Sequence, residues 1–249
     1  MPELKIIKST EVPTHIKMVL YGRPGIGKTI FAAGAPKPLL VDCERGTLSL
    51  GNKKLIEAGI IPPEVDVWPV DTFQELNVVF EYLQTNEAGY KTVILDGFSE
   101  LLRKGVDLIM ERLVAKHPEK NPDIVSPTEW GMSTQQMRKV IRNFRMLPLH
   151  VIFNCLVRED ENEETGLQEA KPAVSPSVFN ILNAYVDIIA YMFIVGNPDD
   201  PPEKQFRALL FQPAEKYVAK DRSGQLGNHM KLPNNAPGFP EVLRQLNLS

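Results

Sequence analysis

Cysteine is scarce in this sequence: two among 249 residues, Cys43 and Cys155. So few exclude a disulfide framework and agree with a reducing compartment. Also missing is any run of about eighteen apolar residues, and the opening MPELKIIKST lacks the apolar stretch of a secretory signal. A cytoplasmic protein with no membrane partner is the expectation. The four histidines, His15, His117, His150 and His229, have no zinc spacing, and no serine sits in a nucleophile elbow. An excess of one charge is absent too. With a net charge of −3, any nucleic-acid contact requires a local basic patch.

What is present is a chain long enough for one sizeable core, with no linker and no internal repeat. The runs at 16–21, 38–42, 66–70, 91–96 and 150–156 are short, β-branched and nearly continuously apolar, as strands covered on both faces are. Helical patterns lie between them. Thr72 and Glu75 predict a capping box opening a helix to about Gln84, and residues 98–116 and 128–147 carry apolar positions at helical spacing. This order predicts βαβ units and a mostly parallel sheet. Residues 186–195 and 205–212 predict an antiparallel hairpin at the sheet's edge, followed by a Pro-rich end with one short helix. The fold class is α/β in a single domain: an N-terminal strand or arm over 1–15, a core over 16–224 and a C-terminal tail over 225–249.

The stretch GRPGIGKT, Gly22 to Thr29, fits G-x-x-x-x-G-K-[ST] between a predicted strand and a predicted helix, the context a P-loop requires. Glycines let backbone N–H groups curl around a phosphate without Cβ clashes. Lys28 supplies a point charge for the terminal phosphates, and Thr29 offers a hydroxyl to magnesium. The nucleotide-binding set is Gly22, Arg23, Pro24, Gly25, Ile26, Gly27, Lys28, Thr29 and Ile30. ATP and Mg2+ are the expected cofactors.

A magnesium-side carboxylate is supplied by YKTVILDGFSEL, where Asp96 ends a strand. Read alone it is also a cap for the helix starting near Phe98; the upstream P-loop favours the metal role, shared with Thr29. Asp42 and Glu44 end another strand. Glu44 is either a solvated loop acid or the general base for an attacking water.

Together, the P-loop, VDCE carrying Glu44, ILDG carrying Asp96 and the later IFNCLVRED strand resemble the core of RecA-like recombinases. The TEWG segment at Thr128–Gly131 and the ending KYVAKDRSGQLG look most like phage-encoded RecA-like ATPases of the Sak single-strand annealing type. The resemblance covers roughly residues 16 to 224. It implies a RecA-like P-loop core with a C-terminal antiparallel extension, and Mg-dependent, DNA-stimulated ATP hydrolysis in phage recombination or replication, within the host cytoplasm. It places the catalytic base at Glu44 and a γ-phosphate sensor at Asn154. It also makes Lys220 and Arg222 fingers reaching into a neighbour's nucleotide, which implies a ring or filament. Single-stranded DNA and a single-strand-binding protein are the implied partners.

Three features depart from a simple transfer. Cys155 follows Asn154 where a polar glutamine or histidine often couples nucleotide to DNA. Cys43 and Cys155, with the Asp96 strand between them, would lie roughly 9.6 Å apart, too far to bridge. The segment 157–172, at the position of a recombinase DNA loop, holds six carboxylates (Glu159, Asp160, Glu161, Glu163, Glu164, Glu169) against Arg158 and Lys171, which repels phosphate. It reads as a solvated hairpin or a contact for a basic partner. Basic character lies instead at Arg138, Arg142 and Arg145, a helical stripe that is either a solvated face or a polyanion contact. The segment 4–9 either pairs with a neighbour's sheet or extends its own. Two alternatives to a DNA-directed ATPase remain: a nucleotide-switched protein-interaction module without DNA binding, and a small-molecule P-loop kinase.

Overall fold

Alternating apolar runs and helical patterns assemble into one sheet covered on both faces. The computed structural model describes residue 8 and residues 14–161, 166–196, 204–234 and 236–248. In chain order the first elements are β1 (Lys17–Gly22), α1 (Lys28–Ala33), β2 (Pro38–Asp42), α2 (Lys53–Glu57), β3 (Asp66–Pro69), α3 (Glu75–Thr85), β4 (Thr92–Asp96) and α4 (Phe98–Lys116). There follow α5 (Pro127–Met146), β5 (His150–Glu161), β6 (Gln168–Pro172), α6 (Pro176–Tyr185), β7 (Ile188–Val195), β8 (Phe206–Leu210), β9 (Lys220–Asp221), β10 (His229–Lys231) and α7 (Gly238–Gln245).

The strands join in the order β10, β8, β7, β1, β5, β4, β2, β3, with β6 added to β5 and β9 to β7. From β7 to β3 every pairing is parallel. The pairings of β8, β10, β6 and β9 are antiparallel. The fold class read from the sequence is the one observed. Its consequence is that the carboxyl ends of β1, β5, β4 and β2 meet along one edge, where ligands of open α/β sheets gather.

Strand β1 shows why both faces need cover. Val19 and Tyr21 enter a cluster with Leu83 of α3, Leu101 of α4, Ile141 of α5 and Leu182 of α6. Met18 and Leu20 enter a second with Phe31 of α1 and Val242 and Leu243 of α7. The continuous apolar run KMVLYG is what a strand buried on both sides requires. The segment from 225 onward is no appendage: β10 lengthens the sheet and Phe239 of α7 packs edge-on to Phe31 at 6.1 Å. Cys43 and Cys155 are free and buried, on either side of β4. The segment 4–9, Lys8 apart, lies outside the described residues.

One local expectation is corrected. Thr72 and Glu75 form no capping box, because the Thr72 hydroxyl donates to the Glu75 carboxylate (3.0 Å) and α3 begins only at Glu75. The capping box is built at α5, where Glu129 accepts from the Ser126 N–H at 2.7 Å and Pro127 opens the helix. Among the described residues no helix is long and apolar enough to cross a membrane.

His150 ties β5 to the chain entering β1. Its Nδ1 accepts the Ile16 N–H at 3.0 Å, and its ring packs against Phe239. Burial, then the charges of His15 and Lys17, push its pKa down to about 4. The unfolded chain therefore binds the extra proton between about 4 and 6.5, and this group's contribution to stability is present above 6.5 and lost as pH falls toward 4. The loss amounts to at most about 3 kcal/mol. Urea titrations of wild type and His150→Gln across this window check it: the stability difference between the two should shrink as pH falls and stay flat above pH 7.

Candidate nucleotide site

At the end of β1 the chain turns through two left-handed glycines, Gly25 at φ +72° and Gly27 at φ +106°, before α1 begins at Lys28. A Cβ on Gly22 would lie 2.7 Å from the Met192 carbonyl of β7, so only glycine lets the strands stay this close. Lys28 Nζ donates to the carbonyls of Gly22 (3.1 Å) and Arg23 (3.0 Å). A second cation braces the loop from outside: Arg207 Nε of β8 donates to the Ile26 carbonyl at 2.6 Å. Ile26 itself turns into the core, and Arg23 faces a separate cavity beside Tyr191 and Tyr217.

The strand register delivers the polar groups. Asp96 ends β4, and Asn154 lies on the neighbouring β5 opposite Leu20. The Asp96 carboxylate accepts Thr29 Oγ1 on one oxygen and Asn154 Nδ2 on the other, both at 2.8 Å. It does not cap α4, whose N-cap is Gly97 without a side-chain bond. Asp42, buried at the end of β2, accepts the N–H groups of Glu44 (3.1 Å) and Gly46 (3.3 Å) and so folds the following loop back over the strand ends. Glu44 then lies on Gly97: a Cβ at that glycine would sit 2.2 Å from Glu44 Cγ. The glycine of ILDG is thus the seat of the Glu44 side chain.

These groups line one cleft of about 580 Å³, shared by Gly25, Lys28, Thr29, Glu44, Asp96 and Asn154. Burial raises the pKa of Asp96, against the lowering by its bonds from Asn154 and Thr29. Burial also raises Glu44, with the charges of Asp96 and Glu100 adding to it. Lys28 is lowered by burial, opposed by Asp96 and Glu44. Asn154 is almost fully buried, and its Oδ1 has no partner among the described residues. The Thr29 hydroxyl and the Asp96 carboxylate are hard oxygen donors that suit Mg2+. No group of three or more metal-binding side chains is found among the described residues. Mg2+ in nucleotide sites is held by one or two protein oxygens plus substrate phosphates and water.

The structure therefore brings together Lys28, Thr29, Asp96, Asn154 and Glu44. It does not bring Lys220 and Arg222 to the same cleft. β9 pairs with the start of β7, Asp221 opposite Ile188, whereas the P-loop end of β1 meets Met192. Four strand residues, about 13 Å, separate the two levels. Lys220 Nζ donates to the carbonyls of Asn183 and Val186, and Arg222 to Asp187 Oδ1 (3.3 Å) and the Ala184 carbonyl (2.8 Å). Within one chain both close the end of α6. Sequence reasoning missed Arg207, whose partner lies 181 residues away, and Ser49 and Asn52, which complete the cleft wall. A glycine directly after a strand-end aspartate was the available signal for Gly97.

Gly97→Ala combines a left-handed φ with a collision against Glu44. ATP turnover is expected to fall by ~10²-fold with little change in nucleotide affinity, measured by steady-state hydrolysis and calorimetric titration.

A protein-family model described as an AAA domain matches residues 14–223, a span that contains the cradle, Glu44, Asp96, Asn154, Lys220 and Arg222. Comparison with curated proteins gives no match. Among solved structures the chain is similar to a KaiC-like protein from the hyperthermophilic archaeon Pyrococcus horikoshii OT3, at 11% identity and a TM-score of 0.48, over 90% of this chain and 87% of that one. The chain belongs to the AAA domain family and carries an AAA-type P-loop ATPase domain.

Proposed function

We propose that the protein hydrolyses ATP and uses the cycle on single-stranded DNA, as a RecA-like ATPase of the phage Sak annealing type, in recombination or replication. One observation carries the hydrolytic part: Lys28, the Thr29–Asp96–Asn154 bridge and Glu44 seated on Gly97 converge on one cleft. Lys28 leaves its loop carbonyls for the β- and γ-phosphates. Glu44 takes the proton of the attacking water as the bond from Pγ to the ADP oxygen breaks, and a pKa raised by desolvation and by the charges of Asp96 and Glu100 makes it a stronger base than an ordinary carboxylate. Asn154 offers its free Oδ1 to orient that water. Thr29 and Asp96 would hold Mg2+, which neutralises charge on the phosphate oxygens. The nucleoside end fits the adjoining cavity of about 260 Å³ beside Phe31, Arg207 and Leu232.

In an assembled ring or filament, Lys220 and Arg222 would exchange their bonds at α6 for the neighbour's nucleotide. Normal ATP turnover by Arg222→Ala at concentrations where the chain self-associates would sink that role. A second reading has support from the β5–β6 hairpin, which presents Glu159, Asp160 and Glu169 with Lys216 and Lys171 as partial counter-charges. A basic protein partner suits that surface.

ATP hydrolysis with and without long single-stranded DNA, at low and physiological salt, with Lys28→Ala as the contamination control, decides between them. Several-fold stimulation that fades with salt is expected; Lys28-dependent turnover indifferent to DNA would select the protein-partner reading. Glu44→Gln should lower turnover by about 10²- to 10⁴-fold with nucleotide still bound. In the wild type, turnover should rise with pH through an apparent pKa above the ordinary carboxylate range, because the base acts only when ionised.

A further inference from the structure

The groove between α5 and α6 is lined by cations. α6 contains no acidic residue, and the one carboxylate of α5, Glu129, lies in its first turn bonded to Lys120 at 2.6 Å. Met137, Val140, Ile141 and Phe144 hold α5 to the core, so its opposite face turns outward. There Arg138 and Arg142, with Ser177, Asn180 and Tyr185 of α6, line a cavity of about 370 Å³ that has no carboxylate on its walls. Arg145 extends the row, its guanidinium 4.7 Å from the Tyr185 ring centroid. Arg138 Nε is buried without a hydrogen-bond partner among the described residues. A buried donor without an acceptor is destabilising, and a bound anion would relieve it.

The spacing suits a repeating anion. Arg138 and Arg142 are one helical step of four residues apart, about 6 Å along the axis. Guanidiniums at that pitch lie within reach of successive phosphates along one strand. Planar guanidinium forks grip phosphate oxygens bidentately, and the Tyr185 ring holds Arg145 at the row by a cation–π contact. On the β5–β6 hairpin the cations are already paired, Arg158 with Asp160 and Lys171 with Asp160 and Glu169.

We propose that the α5–α6 groove is the binding site for the sugar–phosphate backbone of single-stranded DNA, with Arg138, Arg142 and Arg145 on successive phosphates and Ser177 and Asn180 as neutral donors. The proposal rests on the DNA-directed reading above and replaces the loop after β5 as the DNA contact.

The test is fluorescence anisotropy of labelled oligo-dT with the full chain between about 50 and 200 mM salt. It compares wild type with Arg142→Ala/Arg145→Ala and with Asn180→Asp, whose exposed side chain places a carboxylate in the groove; thermal midpoints confirm that each variant is folded. The double variant should flatten the slope of log affinity against log salt by about 1.4, at roughly 0.7 per lost phosphate contact on a single strand. Both variants should bind about tenfold more weakly and lose DNA stimulation, with DNA-free hydrolysis unchanged. Wild-type binding with unchanged slope and affinity in both variants would overturn the groove while sparing the DNA reading. Absence of wild-type binding at the lowest salt would overturn both. Equal competition by polyglutamate would reassign the groove to an acidic protein segment.

Discussion

One carboxylate organises the catalytic edge of this molecule. Asp96 is buried, yet its two oxygens are taken by a hydroxyl from α1 and an amide from β5. Those two bonds join three consecutive parts of the P-loop architecture: the helix after the cradle, the strand beside it and the strand beyond. A carboxylate so deep in the sheet is tolerated because both oxygens are satisfied. It also fixes the rotamer of Thr29 and holds Asn154 by its Nδ2, leaving the amide oxygen open.

Around this bridge the acidic groups outnumber the basic ones. Burial raises both Glu44 and Asp96, the charge of Asp96 adds to the rise of Glu44 and that of Asp42 to the rise of Asp96, and Lys28 is the cation that opposes both. A site with surplus buried negative charge and a lysine held by its own loop carbonyls is one that gains from a bound divalent cation. The raised pKa of Glu44 makes proton abstraction more effective. Gly97 completes the arrangement by omission, since any side chain there would occupy the place of Glu44.

Charge is segregated over the rest of the surface. The β5–β6 hairpin is acidic and tied down by Lys171 and Lys216, while the wall formed by α5 and α6 is basic. The two lie at different ends of β5: the hairpin continues from its carboxyl end, and α5 leads into its first residue. Tyr21, on the P-loop strand, donates to the carbonyls of Ala170 and Val218, so the hairpin and the segment before β9 are both anchored to the strand that carries the cradle.

Much of this was legible locally. GRPGIGKT names its own chemistry because the glycine positions, the lysine and the threonine are needed within one turn of chain. The apolar runs KMVLYG and TVILD declare strands buried on both faces, and the aspartate and glutamate at strand ends follow from where a parallel sheet presents its ligands. Helix starts were less secure: Thr72 and Glu75 satisfy each other instead of the backbone, and only neighbouring geometry decides that. What the chain order could not carry is long-range. The bond from Arg207 to Ile26, the seat of Glu44 on Gly97 and the engagement of Lys220 and Arg222 by the end of α6 all join residues far apart in sequence. The sequence by itself determined the elements and the chemistry each strand end carries, because those depend on neighbours within a few residues. The tertiary structure alone decided which carboxylate binds which donor and which cations face the cleft, because strand order and register set those distances.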